Sequence, residues 1–234
     1  MERTNKIIVT GYIGFPKNFG EDSTAQLSLP INRGTKDEPK WDYLNLKVTA
    51  EKSKIDFTQY DRKRLQVTGY VTGEAYTPKN EIKEITVAKI VVGSVKEIEK
   101  GERGENEITL TSMSKFIREF GEKGVGAQLS VSFNEGSKEE PNYKYVNISL
   151  TGSRNRLNLV EGEIITVKGF IKADFFIPKG KEKEISLPVI VGMEILEREM
   201  PGSGSDAVDD APPPPASESE ANPTDEIEND EIPF

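Results

Sequence analysis

The hydrophobic and polar positions of the chain alternate most clearly in one nine-residue segment that occurs twice. Residues 41–49 and residues 143–151 start 102 positions apart, and both alternate polar and apolar side chains. A period of two is typical of a β-strand with one face in a core and the other in solvent. The predicted inward residues are Leu44, Leu46 and Val48 in the first copy and Val146, Ile148 and Leu150 in the second.

The opposite face of both strands carries aromatic rings. Trp41 and Tyr43 in the first copy correspond to Tyr143 and Tyr145 in the second. Aromatic rings on an outward strand face are costly to leave in water unless a flat partner covers them. We therefore expect these strands to bind a ligand with flat surfaces, such as nucleic-acid bases. The same face continues with Asn45 and Lys47 in the first copy and with Asn147 and Ser149 in the second, so the asparagine recurs.

Further alternating segments complete a set of five predicted strands in the first half. The strands are predicted at 7–15, 25–31, 41–49, 65–71 and 82–93, with loops at Asn32–Lys40 and Thr72–Glu81 and one short helix within 50–64. Pro30 predicts an edge position or a strand end, and the glycines of the first strand suit a bulge.

The same series of segments recurs in the second half. Ala25-Gln-Leu-Ser-Leu returns as Ala127-Gln-Leu-Ser-Val, and Val67-Thr-Gly-Tyr-Val returns as Val167-Lys-Gly-Phe-Ile. Several matches in one order indicate a duplication. Five short strands in about a hundred residues favour an all-β fold of two tandem five-stranded OB barrels, with an immunoglobulin-like sandwich as the alternative. The predicted divisions are an OB-fold domain at 1–100, a linker at 101–106, an OB-fold domain at 107–200 and a disordered acidic tail at 201–234.

Composition excludes several kinds of chemistry. The chain has no cysteine and no histidine, so disulfides, thiolate or imidazole zinc sites and Cys- or His-dependent triads are excluded. We expect no cofactor and no metal. No run of eighteen apolar residues and no signal-peptide pattern occurs, which predicts a cytoplasmic protein without a membrane partner.

The negative charge of the chain is concentrated in its last 34 residues. The net charge is −9, but ten of the forty acidic residues and none of the 31 basic residues follow Met200. Residues 1–200 therefore carry thirty acidic and 31 basic residues and are close to neutral, which permits a basic groove. The proline-, serine- and acid-rich composition of the tail predicts disorder.

The end of this tail resembles the C-terminal tip of bacterial single-stranded DNA-binding proteins. The chain ends in acidic residues followed by Ile-Pro-Phe. The predicted barrels are similar to the OB architecture of that family, whose usual members carry one OB unit per chain and form tetramers. Two units per chain point to a phage-encoded or divergent bacterial form, as a monomer or homodimer. The resemblance implies that the tip docks replication, recombination and repair proteins through Asp230, Glu231, Ile232, Pro233 and Phe234.

An OB barrel binds oligonucleotides across its second and third strands and the adjoining loops. We therefore predict stacking on the outward rings and on Tyr76, Phe175 and Phe176, which we expect in equivalent loops close to Lys79 and Lys179. Nearby basic residues are expected to contact the phosphates. The predicted site comprises Trp41, Tyr43, Asn45, Lys47, Tyr76, Lys79, Arg33, Lys36, Lys40, Tyr143, Tyr145, Asn147, Phe175, Phe176 and Lys179. Further candidate phosphate contacts are Lys52, Lys54, Arg62, Lys63, Arg64, Arg154 and Arg156.

The predicted function is non-catalytic, sequence-nonspecific binding and protection of single-stranded DNA in replication, recombination and repair. Three alternatives remain at this point: an RNA-binding tandem barrel, a protein adaptor that binds no nucleic acid, and a nuclease with Asp56, Asp61 and Glu74 as its first candidate residues. The expected location is the cytoplasm of a bacterial cell or of a phage-infected bacterium.

Overall fold

The computed structural model describes residues 4–76, 85–120, 126–134, 139–151, 157–177, 182 and 184–200. These residues form eleven β-strands and one short 3-10 helix at Phe57–Tyr60. The strands are β1 (Asn5–Phe19), β2 (Asp22–Asn32), β3 (Trp41–Glu51), β4 (Arg64–Tyr76), β5 (Ile85–Glu97), β6 (Asn106–Met113), β7 (Lys115–Phe120), β8 (Gly126–Asn134), β9 (Tyr143–Thr151), β10 (Ile164–Phe176) and β11 (Ile185–Glu199).

The first five strands close into a barrel in the order β1-β2-β3-β5-β4 and back to β1. All neighbours are antiparallel except β3 and β5, which are parallel. Strand β1 closes the barrel because its first half pairs with β4 and its second half pairs with β2. A bulge between Gly14 and Lys17 separates parts of the β1–β2 pairing. Pro30 lies beyond the part of β2 that pairs with β1, which confirms its edge position.

The second barrel repeats this arrangement with an interrupted first strand. Strands β6 and β7 together correspond to β1, and β8, β9, β11 and β10 follow in the equivalent order. The interruption is at Ser114, a buried residue whose N–H donates to the carbonyl of Glu163 and whose carbonyl accepts from the N–H of Gly162. The fold class predicted from the sequence, two tandem OB barrels, is confirmed.

The alternation of polar and apolar residues in the sequence matches the alternation of exposed and buried residues in the strands. Leu44, Leu46 and Val48 of β3 are buried, and so are Val146, Ile148 and Leu150 of β9. They belong to one apolar cluster to which both barrels contribute. Each barrel also needs a glycine at one matched bulge, because a side chain at Gly69 or Gly169 would overlap the carbonyl oxygen of Val91 or Val191.

The two barrels join through antiparallel pairing of β1 with β6. Asn5 lies opposite Leu110, Ile7 opposite Ile108, and Val9 opposite Asn106. Since Asn5, Ile7 and Val9 are the counterparts of Asn106, Ile108 and Leu110, each barrel presents the same residues to the other. This self-complementary pattern is that of a two-fold symmetric interface, here formed within one chain.

Beside this junction, one asparagine in each barrel makes the same pair of hydrogen bonds within its own barrel. The Asn5 side-chain amide donates to the carbonyl of Val71 (2.8 Å) and accepts from the N–H of Val71 (3.0 Å). The Asn106 side chain makes the same pair of hydrogen bonds with Ile171, at 2.7 and 3.0 Å. Each asparagine thus satisfies one backbone donor and one backbone acceptor where β4 or β10 has no strand partner for that residue on this side.

Some of the predicted boundaries were wrong. Tyr76, Phe175 and Phe176 were expected in loops, but the β4–β5 and β10–β11 ladders continue through them. The strands extend past the apolar runs because backbone pairing does not require an apolar side chain. The division into domains stays a prediction, although β6 already begins at Asn106, the last residue of the predicted linker. The tail at 201–234 lies outside the described residues.

We predict that Asn5→Ala lowers the free energy of unfolding by about 1–3 kcal/mol, because it leaves two partly buried backbone groups of Val71 without their hydrogen bonds. Urea denaturation followed by circular dichroism measures this change. Asn45→Ala is the control: the hydrogen bond of Asn45 with Ser28 is exposed, so the change should stay within about 0.5 kcal/mol. Equal losses for the two variants would contradict the role given to Asn5.

Candidate nucleic-acid interface

The outward face of β2 and β3 carries an exposed aromatic row. Trp41 is 62% exposed and Tyr43 is 51% exposed. Across the strands Trp41 lies opposite Asn32 and Tyr43 lies opposite Pro30. The rings alternate with the buried Leu44 side of the strand, as the sequence predicts. The row is therefore an open apolar strip at the end of β3 next to the β2–β3 loop.

The strip continues into a polar region that recurs in both barrels. The hydroxyl of Ser28 donates to Asn45 Oδ1 (2.8 Å), and the hydroxyl of Ser130 donates to Asn147 Oδ1 (2.8 Å). Because the oxygen of each amide accepts from a serine, the N–H groups are the side-chain groups that remain to donate. Both asparagines are exposed, so these donors can serve a ligand.

Lys47 is the cation at the end of this row in the first barrel. Its ammonium group forms an ion pair with the carboxylate of Glu74 on β4. Strand β5 places Lys89 beside Lys47 in the parallel β3–β5 pairing. A second cation is thus available next to the paired one.

Arg33 bridges the two barrels. Its guanidinium donates to both carboxylate oxygens of Glu184, at 2.7 and 3.1 Å, and to Asp42 at 3.4 Å. It also lies over the ring of Phe175, 4.0 Å from the centroid. Hydrogen bonding to Glu184 raises the pKa of Arg33 above its ordinary value. The predicted phosphate contact and the predicted stacking ring therefore contact each other, in an arrangement that favours a cation–π interaction.

The β2–β3 loop presents two further predicted cations, Lys36 and Lys40, which are both exposed. Asn32 holds the base of the loop, because its Oδ1 accepts from the N–H of Gly34 (2.9 Å) and of Lys40 (3.0 Å). The N–H of Arg33 also donates to the Lys40 carbonyl at 2.8 Å. The loop thus starts from a fixed turn next to Trp41.

The basic residues between β3 and β4 mostly have protein partners. Lys54 pairs with Glu51 at 2.8 Å, and this hydrogen bond raises the pKa of Lys54. Lys63 pairs with Glu97 at 2.6 Å. Arg64 donates hydrogen bonds to the carbonyls of Glu99 and Glu102. The guanidinium of Arg62 lies 3.7 Å from the carboxylate of Asp61, and Lys52 is exposed.

In the second barrel the matching aromatics are less accessible. Tyr143 and Tyr145 are half-buried, whereas Trp41 and Tyr43 are exposed. The start of β9 packs on β4 of the first barrel, where a side chain at Gly73 would contact Lys144 and the Tyr145 carbonyl. The backbone at the start of the second aromatic row therefore lies against the first barrel.

Several predicted site residues are not described. Tyr76 and Phe176 end strands β4 and β10, but the structure describes only their backbone. Lys79, Lys179, Arg154, Arg156 and the tip residues Asp230, Glu231, Ile232, Pro233 and Phe234 lie outside the described residues.

Strand β1 adds two aromatic residues that the sequence analysis missed. Tyr12 is exposed and lies opposite Ser28, beside the Ser28–Asn45 pair. Phe15 is exposed and lines a shallow cleft with Lys17, Thr24, Ala25, Gln26, Asn45, Leu46 and Lys47. Tyr12 could have been predicted as an outward residue, because it alternates with inward neighbours. Phe15 could not, because it lies in the bulge, where the alternation fails.

The carboxylates considered for a nuclease have other partners. Asp56 caps the 3-10 helix, and hydrogen bonds from the hydroxyl and N–H of Thr58 lower its pKa. Glu74 pairs with Lys47. Among the described residues no cluster of three acidic side chains could hold a metal ion, and no helix there is long and apolar enough to cross a membrane.

Comparison with solved structures identifies the fold. The wild-type single-stranded DNA-binding protein from Thermus aquaticus superimposes with a TM-score of 0.57 and 10% identity, over 88% of this chain and 97% of that one. A deletion variant of the same protein gives 0.58 and 11%, over 88% and 100%. The chain shares the fold of these two structures. The overlap extends over both barrels, so the tandem arrangement belongs to the shared fold.

A third structure, the Plasmodium falciparum single-stranded DNA-binding protein in complex with single-stranded DNA, is less similar. It has 14% identity and a TM-score of 0.33, over 42% of this chain and 98% of that one. No protein-family model matches the sequence, and no curated protein matches it.

We predict that the fluorescence of Trp41, the sole tryptophan, has an emission maximum near that of tryptophan in water, because the side chain is 62% exposed. Acrylamide should quench it efficiently in the folded protein. Unfolding in urea is the control and should shift the emission only slightly. A large red shift on unfolding would show that the ring is buried.

Proposed function

We propose that the protein binds single-stranded DNA without sequence preference and has no catalytic role. The observation that carries this proposal is the exposed aromatic row of β3, Trp41 and Tyr43, on the β2–β3 face of an OB barrel. This is the face that OB folds use for oligonucleotides. The two Thermus aquaticus structures with this fold are of a single-stranded DNA-binding protein, which supports single-stranded DNA as the ligand.

Stacking supplies the sequence tolerance. Every base has a π-face, so Trp41 and Tyr43 accept any nucleotide, and each stacked base contributes about 1–3 kcal/mol. A duplex hides its base faces, so the same contacts select unpaired strands. The N–H groups of Asn45 lie next along the row and can donate to a base or sugar oxygen.

Phosphate neutralisation supplies the remaining affinity. Lys36 and Lys40 lie in the loop beside Trp41, and Lys47 and Lys89 lie at the other end of the row. Each phosphate contact releases counterions, so binding should weaken as salt rises. The pairing of Lys47 with Glu74 and of Arg33 with Glu184 limits the number of free cations and predicts a modest salt slope.

The second barrel is expected to contribute less to DNA binding than the first. Tyr143 and Tyr145 are half-buried, so less ring surface is available for bases than on β3. Asn147 repeats the exposed Asn45 arrangement, and the half-buried Phe175 already stacks with Arg33. We assign the main affinity to the first barrel and extension of the bound strand to the second.

We predict that oligo-dT quenches the fluorescence of Trp41, because a base stacks on its exposed ring. Tyr43→Ala should weaken binding by about 1–3 kcal/mol, which is roughly 5- to 150-fold, and Tyr145→Ala should weaken it less. Titrations at two salt concentrations measure both effects. Tyr70→Ala is the matched control. Tyr70 is also an exposed tyrosine, but it lies on β4 and not on β2 or β3, so this variant should bind oligo-dT as tightly as the wild type.

The alternatives make different predictions in the same assay. Tighter binding to a matched RNA oligonucleotide would replace the DNA proposal with an RNA-binding role. Cleavage of labelled single strands with magnesium would indicate a nuclease. The absence of any salt-dependent oligonucleotide binding would leave a protein adaptor.

We further propose that the C-terminal tip recruits proteins of DNA replication, recombination and repair. Asp230 and Glu231 provide negative charge, Ile232 and Phe234 provide apolar anchors, and Pro233 restricts the backbone. Such a segment fits a small apolar pocket with a basic rim. The place of action is then the cytoplasm of a bacterium or of a phage-infected bacterial cell.

We predict that deleting Phe234 abolishes capture of DNA-processing proteins from a bacterial lysate and leaves affinity for oligo-dT unchanged. The physical reason is that the deletion removes the apolar anchor and shifts the terminal carboxylate, without touching the barrels. Pull-down with mass spectrometry, compared with a Thr224→Ala control, measures the loss. Retention of the same partners would contradict docking through the tip.

A further inference from the structure

The first strand of each barrel contains a phenylalanine with a left-handed backbone. Phe15 has φ 51° and Phe116 has φ 54°. The two residues are 101 positions apart and correspond in the duplication. Bulky side chains rarely adopt positive φ, because the Cβ atom crowds the backbone. A costly conformation at the same point in both barrels indicates that the ring is held in place for a purpose.

Both residues lie in a β-bulge. The β1–β2 register shifts between Gly14 and Lys17, and the β7–β8 register shifts between Lys115 and Arg118. A bulge redirects the side chain at its centre out of the regular alternation. Pro16 follows Phe15 directly and has no N–H for the ladder, which suits the interruption. The bulge therefore sets the direction of the Phe15 ring.

The ring is directed into solvent rather than into the core. Phe15 is 76% exposed and Phe116 is 45% exposed. The bulge thus combines two unfavourable features, a left-handed backbone and an apolar ring in water. Neither feature contributes to the stability of the barrel, and a glycine would remove both.

Phe15 also lies next to the candidate interface. It lines one cleft together with Gln26 of β2 and with Asn45 and Lys47 of β3. Lys17, the first residue after the bulge, lines the same cleft. An aromatic ring, two amides and two cations around one shallow depression match the groups of a nucleotide: a base face, a base edge and a phosphate.

We propose that Phe15 is a base-stacking residue that extends the bound strand from β3 across β2 onto β1, and that Phe116 has the same role in the second barrel. This inference rests on the proposed binding of single-stranded DNA and assigns a further contact to that site. The bulge holds the ring before the ligand arrives, so little conformational freedom is lost on stacking. Lys17 is the phosphate contact beside it.

The two rings act at separate places. Strands β1 and β6 are antiparallel around the Ile7–Ile108 pair, so the bulges lie in opposite directions from this centre. Phe15 is eight positions from Ile7 and Phe116 is eight positions from Ile108, so each ring lies on its own barrel, about 25 Å along the strand from this centre. Their contributions to affinity should therefore be independent, and the losses in a double variant should multiply.

The test replaces Phe15 with glycine and measures affinity and thermal stability together. Because glycine accepts positive φ, Phe15→Gly should melt no lower than the wild type while its affinity for oligo-dT falls several-fold. Phe19→Gly is the matched control. Phe19 is also an exposed phenylalanine of β1, but it lies outside the cleft and has no positive φ, so this variant should melt lower and bind normally.

A second measurement reports contact with the ring itself. In a Trp41→Phe background, Phe15→Trp places the sole tryptophan in the bulge, and oligo-dT should quench its fluorescence. Unquenched emission during binding would overturn the inference, as would wild-type affinity in Phe15→Gly or an equal loss of affinity in Phe19→Gly. A lower solution mass of Phe15→Gly with unchanged affinity would also overturn it, in favour of a contact between copies.

The two proposals fail in different ways. If the wild-type protein does not bind oligo-dT, the proposed function fails and the stacking role of Phe15 fails with it. If the wild type binds and the Phe15 variants bind equally well, only the role of the bulge is wrong.

Discussion

The antiparallel pairing of β1 with β6 is the interaction on which the rest of the structure depends. It places Ile7 against Ile108, both members of one apolar cluster, and gives the edge of each barrel a backbone partner. Because each barrel presents the same residues, one pairing satisfies both edges, and beside it Asn5 and Asn106 make matched amide–backbone bonds within their own barrels. An unpaired edge at this position would be a site for aggregation.

The two copies of the aromatic strand differ in exposure. Trp41 and Tyr43 project from a face that no element of the described residues covers, whereas the start of β9 packs against β4 near Gly73. The Arg33–Glu184 pair, with Phe175 beneath it, adds a second connection on the side of the β2–β3 loop. A symmetric central pairing thus supports an asymmetric surface, on which one aromatic row is open and the other is partly covered.

The sequence predicts what depends on local alternation and misses what depends on distant contacts. The inward Leu44 side of β3 and its copy in β9 could be read directly, because one buried face imposes a period of two. The ends of β4 and β10 could not, since ladders continue through polar residues. The contact of Arg33 with Glu184 joins residues 151 positions apart, and no local pattern signals it. Phe15 has no such signal in the sequence, because the bulge inverts the alternation of buried and exposed positions.

The covalent joining of the two barrels has a consequence for assembly. A self-complementary pairing between separate chains weakens on dilution, whereas the β1–β6 pairing is intramolecular and has a fixed effective concentration. The union of the two halves is therefore insensitive to how much protein a cell makes. It also releases each half from the requirement of identical sequence, so that one mutation no longer alters both surfaces at once.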